Sequence, residues 1–545
     1  MKRSAILTAV LVASAGVGAA QSAVDMLQVT QPGFRGTARF MSMGGAFTAL
    51  GGDLSSMSQN PAGLGIYRHS EIAATLDIDI QNTKAPGQNG NITNNKTRVD
   101  CNNFGYVGSA NLYNDVMPFF NWGVSYNRRS SFDRVTTAYA LPTNTSLSNY
   151  IASFTGYPEG TLNFNNAEKY NPYQNSDADW LSILAYNTFM ITPRPDYTEQ
   201  HPVYGGLFRD GTEGDAAISV RERGYVDDYN INFSGNIKDV VYWGIGVGIT
   251  DMSYRRDTYY SESMAGATAY NQAGGGVVYN ADAGFDLSNY KHIWGSGWNM
   301  SFGLIAKPIN ELRIGLAVAT PTWWKLDHEY KGIVDYSYYD PSLPNSDKNP
   351  TAGSEQTDYA SFSWRLRSPW RLMAGVSAVL GGKAIISVDY ERQAYNDMKM
   401  KSPVYDNYGY VYDYEENVGV NNNVKNYCQA ANIIRVGAEY RVTPAFSLRA
   451  GYNTTTSNVK DEYKNGGGEV ITSGTDPSFA FTKKNENFCV GLGYKFGSFY
   501  LDGAYVYNHR TSNLFAYTDS AAGDAPKWEV SDNNSSIVLT AGFRF

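Results

Sequence analysis

The residues able to do chemistry are few, and they are spaced as if to line a wall. Asp389, Glu391 and Glu439 stand at alternate positions among apolar residues, as do Arg313, Arg365, Arg367, Arg371, Arg435, Arg441 and Arg449. Paired carboxylates can work as general acid and base, but a carboxylate and a guanidinium on neighbouring strands more simply form ion pairs across them. A nucleophile would need a base and an orienting group. No Gly-x-Ser-x-Gly elbow or other hydrolase signature is present, and the chain reads as a non-enzyme without a catalytic residue.

Metal and cofactor chemistry fare no better. The five histidines, His69, His201, His292, His328 and His509, are scattered, and Cys101, Cys428 and Cys489 form no CxxC pair. Gly44-Gly45 and Gly51-Gly52 lack the following Gly-Lys-Ser/Thr of a phosphate loop. The expectation is no metal and no cofactor. A net charge of −8 provides no basic stripe for phosphates, which argues against a nucleic-acid partner.

The elements that must position these charges are strands. Glu71 to Gln81 places Ile72, Ala74, Leu76, Ile78 and Ile80 on one face and Asp77 and Asp79 on the other. The pattern recurs at 104–113, 122–128, 229–235, 243–249, 298–306, 312–318, 362–376, 384–390, 434–440, 446–452, 488–494, 499–507 and 537–545. An Arg facing lipid at the midplane costs about 2–4 kcal/mol, so the charged faces are assigned to a lumen and the apolar faces, including Phe362, Trp364 and Leu366, to lipid. With mean hydropathy −0.38 and no apolar run of helical span length, the fold class is all-β: a transmembrane antiparallel barrel of about fourteen strands. The 42 Tyr and 24 Phe suit interfacial girdles. Short turns alternate with long polar connections, which places the turns in the periplasm and long loops outside.

Three domains are expected. Residues 1–20 read as a signal peptide, with Lys2-Arg3, an apolar stretch and small residues before Gln21. Residues 21–68 form a plug and 69–545 the barrel. The largest loop, about 140–218, carries two helical stretches, 148–154 and one after an Asp179 cap. There Trp180, Ile183 and Leu184 recur at helical spacing, as candidates for collecting hydrophobic ligands at the mouth.

The plug is the stretch 34–67, FRGTARFMSMGGAFTALGGDLSSMSQNPAGLGIY, where alternation fails. Its small residues allow close backbone packing in a confined lumen. Phe40, Met41, Met43 and Phe47 are candidates for an apolar surface facing the cavity, Met being adaptable to ligand shape.

Ala38-Arg39, Met43-Gly44-Gly45-Ala46-Phe47 and Asn60-Pro61-Ala62-Gly63-Leu64 resemble the N-terminal hatch of the FadL/TodX family of outer-membrane transporters for long-chain fatty acids and hydrocarbons. Gly297-Trp298-Asn299 through Lys307-Pro308 to Arg313-Ile314-Gly315-Leu316 resembles that family's central hairpin. The resemblance implies a monomeric barrel of the bacterial outer membrane that passively imports hydrophobic small molecules. Outer-membrane lipid, lipopolysaccharide and the barrel assembly machinery are its implied partners. It further implies a hatch gated at Asn60, Pro61, Ala62 and Gly63, ligand contacts at Met26 and Leu27 near the mature N-terminus, and sideways exit at a distorted third strand. Arg128, in the lipid-facing phase of that strand, marks a local break. Two other readings stand beside this one: a receptor for haem or another hydrophobic ligand, with His292 or His328 as the haem contact, and a structural or adhesin barrel.

Overall fold

The computed structural model of the chain describes residues 22–140, 142–155, 173, 178–198, 203–406, 408–520 and 523–545. The expected signal peptide and His201 lie outside the described residues. Fourteen antiparallel wall strands follow one another in sequence: β1 Glu71–Gly87, β2 Gly90–Asn111, β3 Phe119–Ser131 with its continuation Arg134–Ala140, β4 Glu213–Ile237, β5 Val241–Asn271, β6 Gly276–Ile309 and β7 Leu312–Ala319 with Trp323–Tyr339. The other half is β8 Thr351–Gln356, Ala360–Arg367 and Arg371–Leu380, β9 Ala384–Gln393 with Lys399–Tyr405, β10 Val411–Glu416 with Ala431–Arg441, β11 Phe446–Thr456, β12 Phe479–Phe496, β13 Phe499–Phe515 and β14 Lys527–Arg544. β14 pairs with β1 from Glu71↔Arg544 upward, which closes the ring.

One strand shows why the alternation reads as it does. Low on β5, Ile245, Val247 and Ile249 are exposed while Gly244, Gly246 and Gly248 face the lumen. Higher up the same phase continues, but Asp251, Ser253, Arg255 and Asp257 now point outward and Met252, Tyr254 and Tyr260 inward. A tilted strand crosses the hydrocarbon in about 9–11 residues, whereas β5 has 31. The rest stands in water, where the apolar side must face in. The lipid belt is bounded by paired aromatics, Tyr126 with Tyr229 and Trp298 with Trp323 above, Tyr494 with Phe496 and Phe543 with Phe545 below.

Two expectations are corrected by this length. The connections β1–β2 and β5–β6 are tight turns at the ends of long strands rather than long polar loops. Trp364 and Leu366 are buried in the lumen, not set against lipid, and Phe362 packs beside them. The phase inverts between Leu366 and Trp370, where Ser368-Pro369 interrupts β8 beside the Pro321 interruption of β7; Thr322 N donates to Ser368 Oγ at 2.8 Å across the two breaks. Arg365 and Arg367 consequently face outward above the belt, Arg365 over the Tyr414 ring and Arg367 beside Asp397.

Inside the ring lie α1 (Ala23–Val29), α2 (Ala38–Ser42) and two short 3-10 helices, Leu54–Ser58 and Pro61–Ile66. Over the mouth, α3 (Leu147–Phe154) and α4 (Trp180–Asn187) pack with Tyr260, Met264, Phe285 and Leu287 of the upper wall. A fifth helix, α5 (Val418–Tyr427), belongs to the upper part of β10 and packs against α1.

Candidate functional site: a hatch, two chambers and a break in the wall

The hatch keeps its shape through side chains that replace missing backbone partners. Thr37 caps α2 by accepting from Phe40 N at 3.1 Å and donates to Asp53 at 2.8 Å. Asn60 caps the helix Pro61–Ile66, accepting from Ala62 N at 3.0 Å, and its amide donates to Thr48 O at 2.6 Å. Pro61 occupies the first helical position, where no backbone donor is needed. Thus Asn60 joins the two halves of the hatch, with Pro61, Ala62 and Gly63 buried beside it.

The wall accommodates this unit with glycine. A Cβ on Gly244 would stand 2.3 Å from Pro61 C, one on Gly315 2.2 Å from Thr48 O, one on Gly437 2.4 Å from Met43 O and one on Gly451 2.2 Å from Gly44 N. Hatch backbone therefore touches wall backbone around much of the ring. Gly44 and Gly45 carry positive φ in the hatch turn, so their role is conformational.

Charged lumen residues fasten the hatch. Arg39 bonds Glu439 at 2.9 Å, and Arg449 bridges Glu439 at 2.8 Å and Asp502 at 2.6 Å. Asp389 accepts from Thr48 N at 2.7 Å, Arg313 donates to Leu50 O at 2.8 Å, and Arg35 reaches Asp77 at 2.9 Å. Asp389 was readable as a lumen charge; its bond to a hatch amide was not.

Of the apolar hatch candidates, Met41, Met43 and Phe47 pack against Cys489, Ala504, Val506 and Val538 of the wall, so they do not present a surface to the cavity. Phe40 belongs to the same cluster and also borders the lower of two lumen chambers. Met26 and Leu27, on α1, enter a lumen cluster with Trp324, Trp364, Tyr395 and Phe481. Ser22 caps α1, and Asp25 ties it to Lys291 on β6 at 3.0 Å and to Ser473 at 2.6 Å.

The two chambers are stacked along the N-terminal segment. The upper, about 100 Å³, is bordered by Leu27, Gln28, Tyr254 and Phe481 together with Arg134, Glu222 and Arg256. The lower, about 110 Å³, lies between the 30–35 segment and the hatch, with Gln59 below and Asn127, Arg129 and Asn230 at its side.

Beside the lower chamber the wall loses its backbone pairing. β2 and β3 pair from Asn111↔Phe119 to Asn103↔Asn127 and no further. At Arg128 the register of β3 against β4 shifts, and the continuation Arg134–Ala140 pairs with β4 alone. That continuation turns inward far enough for Arg134 to reach Asp532 of β14 at 3.1 Å. Above Asn103, side-chain ion pairs span the break. Arg128 joins Asp227 of β4 at 2.8 Å and Asp100 of β2 at 3.2 Å, and Lys96 reaches Asp133 at 2.5 Å. Arg128 holds the outward phase of its strand but is turned onto these carboxylates.

At the mouth, Ile183 and Leu184 are fully buried in the α3–α4 cluster, and Trp180 is half-buried edge-on to Tyr330 and Tyr173. The described part of the loop packs on itself and on the rim, so these three side chains are not an open collecting surface. Asp179 does cap α4, accepting from Leu181 N at 2.8 Å. His328 faces the lumen against Phe362, whereas His292 lies on the opposite face of its strand, stacked on Trp294. The two do not converge on one ligand.

Residues 160–537 match the family model described as TonB dependent receptor-like, beta-barrel. The chain belongs to this family. The match begins in the loop after β3 and leaves the hatch and the first three strands outside it. No curated protein matches the sequence. Among solved structures, the chain is similar to a Pseudomonas aeruginosa FadL homologue, at 13% identity over 94% of this chain and 100% of that one, with a TM-score of 0.49. It is similar to the Pseudomonas putida toluene transporter TodX, at 12% identity over 94% and 99% with a TM-score of 0.45. Similarity to the Ralstonia pickettii toluene transporter TbuX is 15% over 95% and 100%, with a TM-score of 0.39. The family and the apolar belt place this β-barrel in the bacterial outer membrane.

Proposed function

We propose that the protein is a passive outer-membrane channel for hydrophobic small molecules, such as long-chain fatty acids, which leave the lumen sideways rather than through its floor. The observation that carries this reading is the adjacency of the lower chamber to the break in the wall. Asn127, the last residue of β3 paired with β2, also borders that chamber. The axial route is filled by a hatch in backbone contact with the wall, so a solute reaching the chamber meets the β2–β3 break before any passage downward.

Apolar solutes gain about 25 cal/mol for each Å² removed from water, so exit into the bilayer is downhill and needs no nucleotide. Ligand would enter past the α3–α4 cap, rest against Leu27 and Phe40, and pass Arg128. Movement of Asn60 and its neighbours would gate the step. Because the ring closes within one chain, a single chain suffices for the pathway, and the proposed unit is a monomer. Uptake of a labelled long-chain fatty acid by cells with and without the gene tests the proposal. Faster uptake with the gene supports it; equal rates reject this substrate class.

A further inference from the structure

On the outer wall directly above the lipid belt, cations from neighbouring strands stand side by side. Cross-strand register aligns Trp298 of β6, Trp323 of β7, Arg367 of β8 and Lys399 of β9 in one row, and Ser296, Lys325, Arg365 and Lys401 of the same strands in the next. The second row stands two residues higher, about 7 Å along the strands. The residues between them, Trp324, Leu326, Trp364, Leu366 and Met400, are buried in the lumen, so all five cations hold the outward phase. Lys325 and Lys401 are exposed and the other three half-buried.

Like charges placed directly opposite one another destabilise a sheet, yet Lys325, Arg365 and Lys401 are neighbours on three adjacent strands. The carboxylates close by are engaged elsewhere. Asp397 reaches Arg367 at 3.4 Å, and Glu416, although it lies opposite Lys401, reaches Lys399 at 3.6 Å. Asp327, one step above Lys325, accepts from Ser363. Lys325, Arg365 and Lys401 make no ion pair among the described residues. Arg365 is held by its face, the guanidinium lying over the Tyr414 ring at 4.3 Å, a contact that leaves its donor edge for another group. Five cations against three carboxylates leave an excess of two positive charges.

The surface below the rows is apolar. Trp298, Trp323, Trp370 and Leu372 are exposed on the lipid-facing wall, and tryptophan at such a boundary sits at the level of the lipid headgroups. A free anion would use the cations alone, whereas a lipid uses both parts of the surface.

We infer that this patch is a binding site for a phosphorylated lipid of the outer leaflet, its phosphate held by Lys325, Arg365 and Lys401 and its acyl chains laid on Trp298, Trp323, Trp370 and Leu372. Arginine meets phosphate with a fork of donors and lysine with a point charge, and both contacts are charge-assisted. The site lies on the outside of the wall, apart from the hatch and the lumen, and does not depend on what the channel carries.

The test is titration of the full chain in nonionic detergent with diphosphoryl lipid A, with the same lipid stripped of its phosphates, and with inorganic phosphate. Diphosphoryl lipid A is expected to bind at least tenfold more tightly than the stripped form, and added salt should narrow the difference. Lys325→Gln and Lys401→Gln should each reduce that preference fivefold or more and leave the affinity for the stripped lipid in place. Lys495→Gln, an equal loss of charge at the exposed lower end of β12, should leave the preference unchanged. Retained heat-modifiability shows that each barrel is intact, and the two patch variants lie on different strands, so misfolding of one leaves the other. Equal affinity of the wild-type chain for the two lipids overturns the site, as does the same loss in Lys495→Gln, which would mean a response to overall charge. Inorganic phosphate bound as tightly as diphosphoryl lipid A overturns the lipid assignment. Failure of fatty-acid uptake would reject the channel reading and leave these affinities as they are.

Discussion

Gly303 on β6 lies directly under Asn60 of the hatch: a Cβ at Gly303 would stand 1.8 Å from Asn60 Oδ1. That oxygen caps the helix Pro61–Ile66. The wall position thus has room for the cap and for nothing else. Gly303→Ala is expected to push the hatch off its seat at a cost of about 1–3 kcal/mol, the usual range for overpacking. The lipid-facing neighbours Phe302 and Leu304 stay in place. Differential scanning fluorimetry should show a lowered first transition with heat-modifiability of the barrel retained; an unchanged melting profile would refute the seat.

The break beside β3 is held by Arg128, which approaches both oxygens of Asp227 through Nε at 2.8 Å and Nη2 at 3.2 Å. Arg128→Ala leaves Asp227 and Asp100 facing each other with one cation fewer, and removing one partner of a buried pair costs about 3–5 kcal/mol. Amide exchange of Ser130, Ser131 and the upper half of β2 should then accelerate. Arg128→Lys keeps the charge but not the two-point contact, so it should recover only part of the protection. Equal exchange in all three proteins would show that Arg128 does not latch the break.

Burial would raise the Asp25 carboxyl, but Lys291, His328 and Ser473 together hold it well below the usual carboxylate range. A depressed folded value means that the group's contribution to α1 docking is fully present above about pH 4 and is lost as the pH falls below that. Protease access to the segment before Ala38 should therefore rise only under strong acid. Lys291→Met should expose the segment at neutral pH, and Asp25→Asn should flatten the acid dependence. An acid profile identical in wild type and Asp25→Asn would contradict this attribution.

Leu184 is fully buried beneath the mouth. Leu184→Ala should destabilise the α3–α4 cap by about 2–5 kcal/mol, as expected for a large-to-small change in a packed cluster. Limited proteolysis should cut within 178–198 while the wall survives. Cleavage no faster than in wild type would mean that the cap does not depend on this cluster.

The wall was legible because lipid enforces a phase. Ile72, Leu76 and Ile80 were assigned outward from alternation alone and are exposed in the folded chain. The same rule misplaced Trp364 and Leu366, since above the belt water reverses which face must be apolar, and Pro369 hides the inversion. Asn60 and Pro61 stood out by residue type. The glycines that receive them carried a signal that went unused: Gly244, Gly303, Gly315, Gly437 and Gly451 all occupy lumen positions of lipid-facing strands, where a side chain would otherwise stand. The unpaired edge of β2 left no mark, because strand pairing depends on a partner elsewhere in the chain and not on local alternation.

Replacing Asn60-Pro61 with Ala-Ala removes the cap and the fixed first helical turn together, at a cost of about 1 kcal/mol for the cap alone. The most direct test of the transport account is uptake of a labelled long-chain fatty acid by cells carrying the wild-type chain or this variant, each present as a heat-modifiable barrel in the outer membrane. Uptake by the wild type that falls to the level of cells without the gene in the variant is the predicted result. Wild-type rates in the variant would contradict the hatch mechanism.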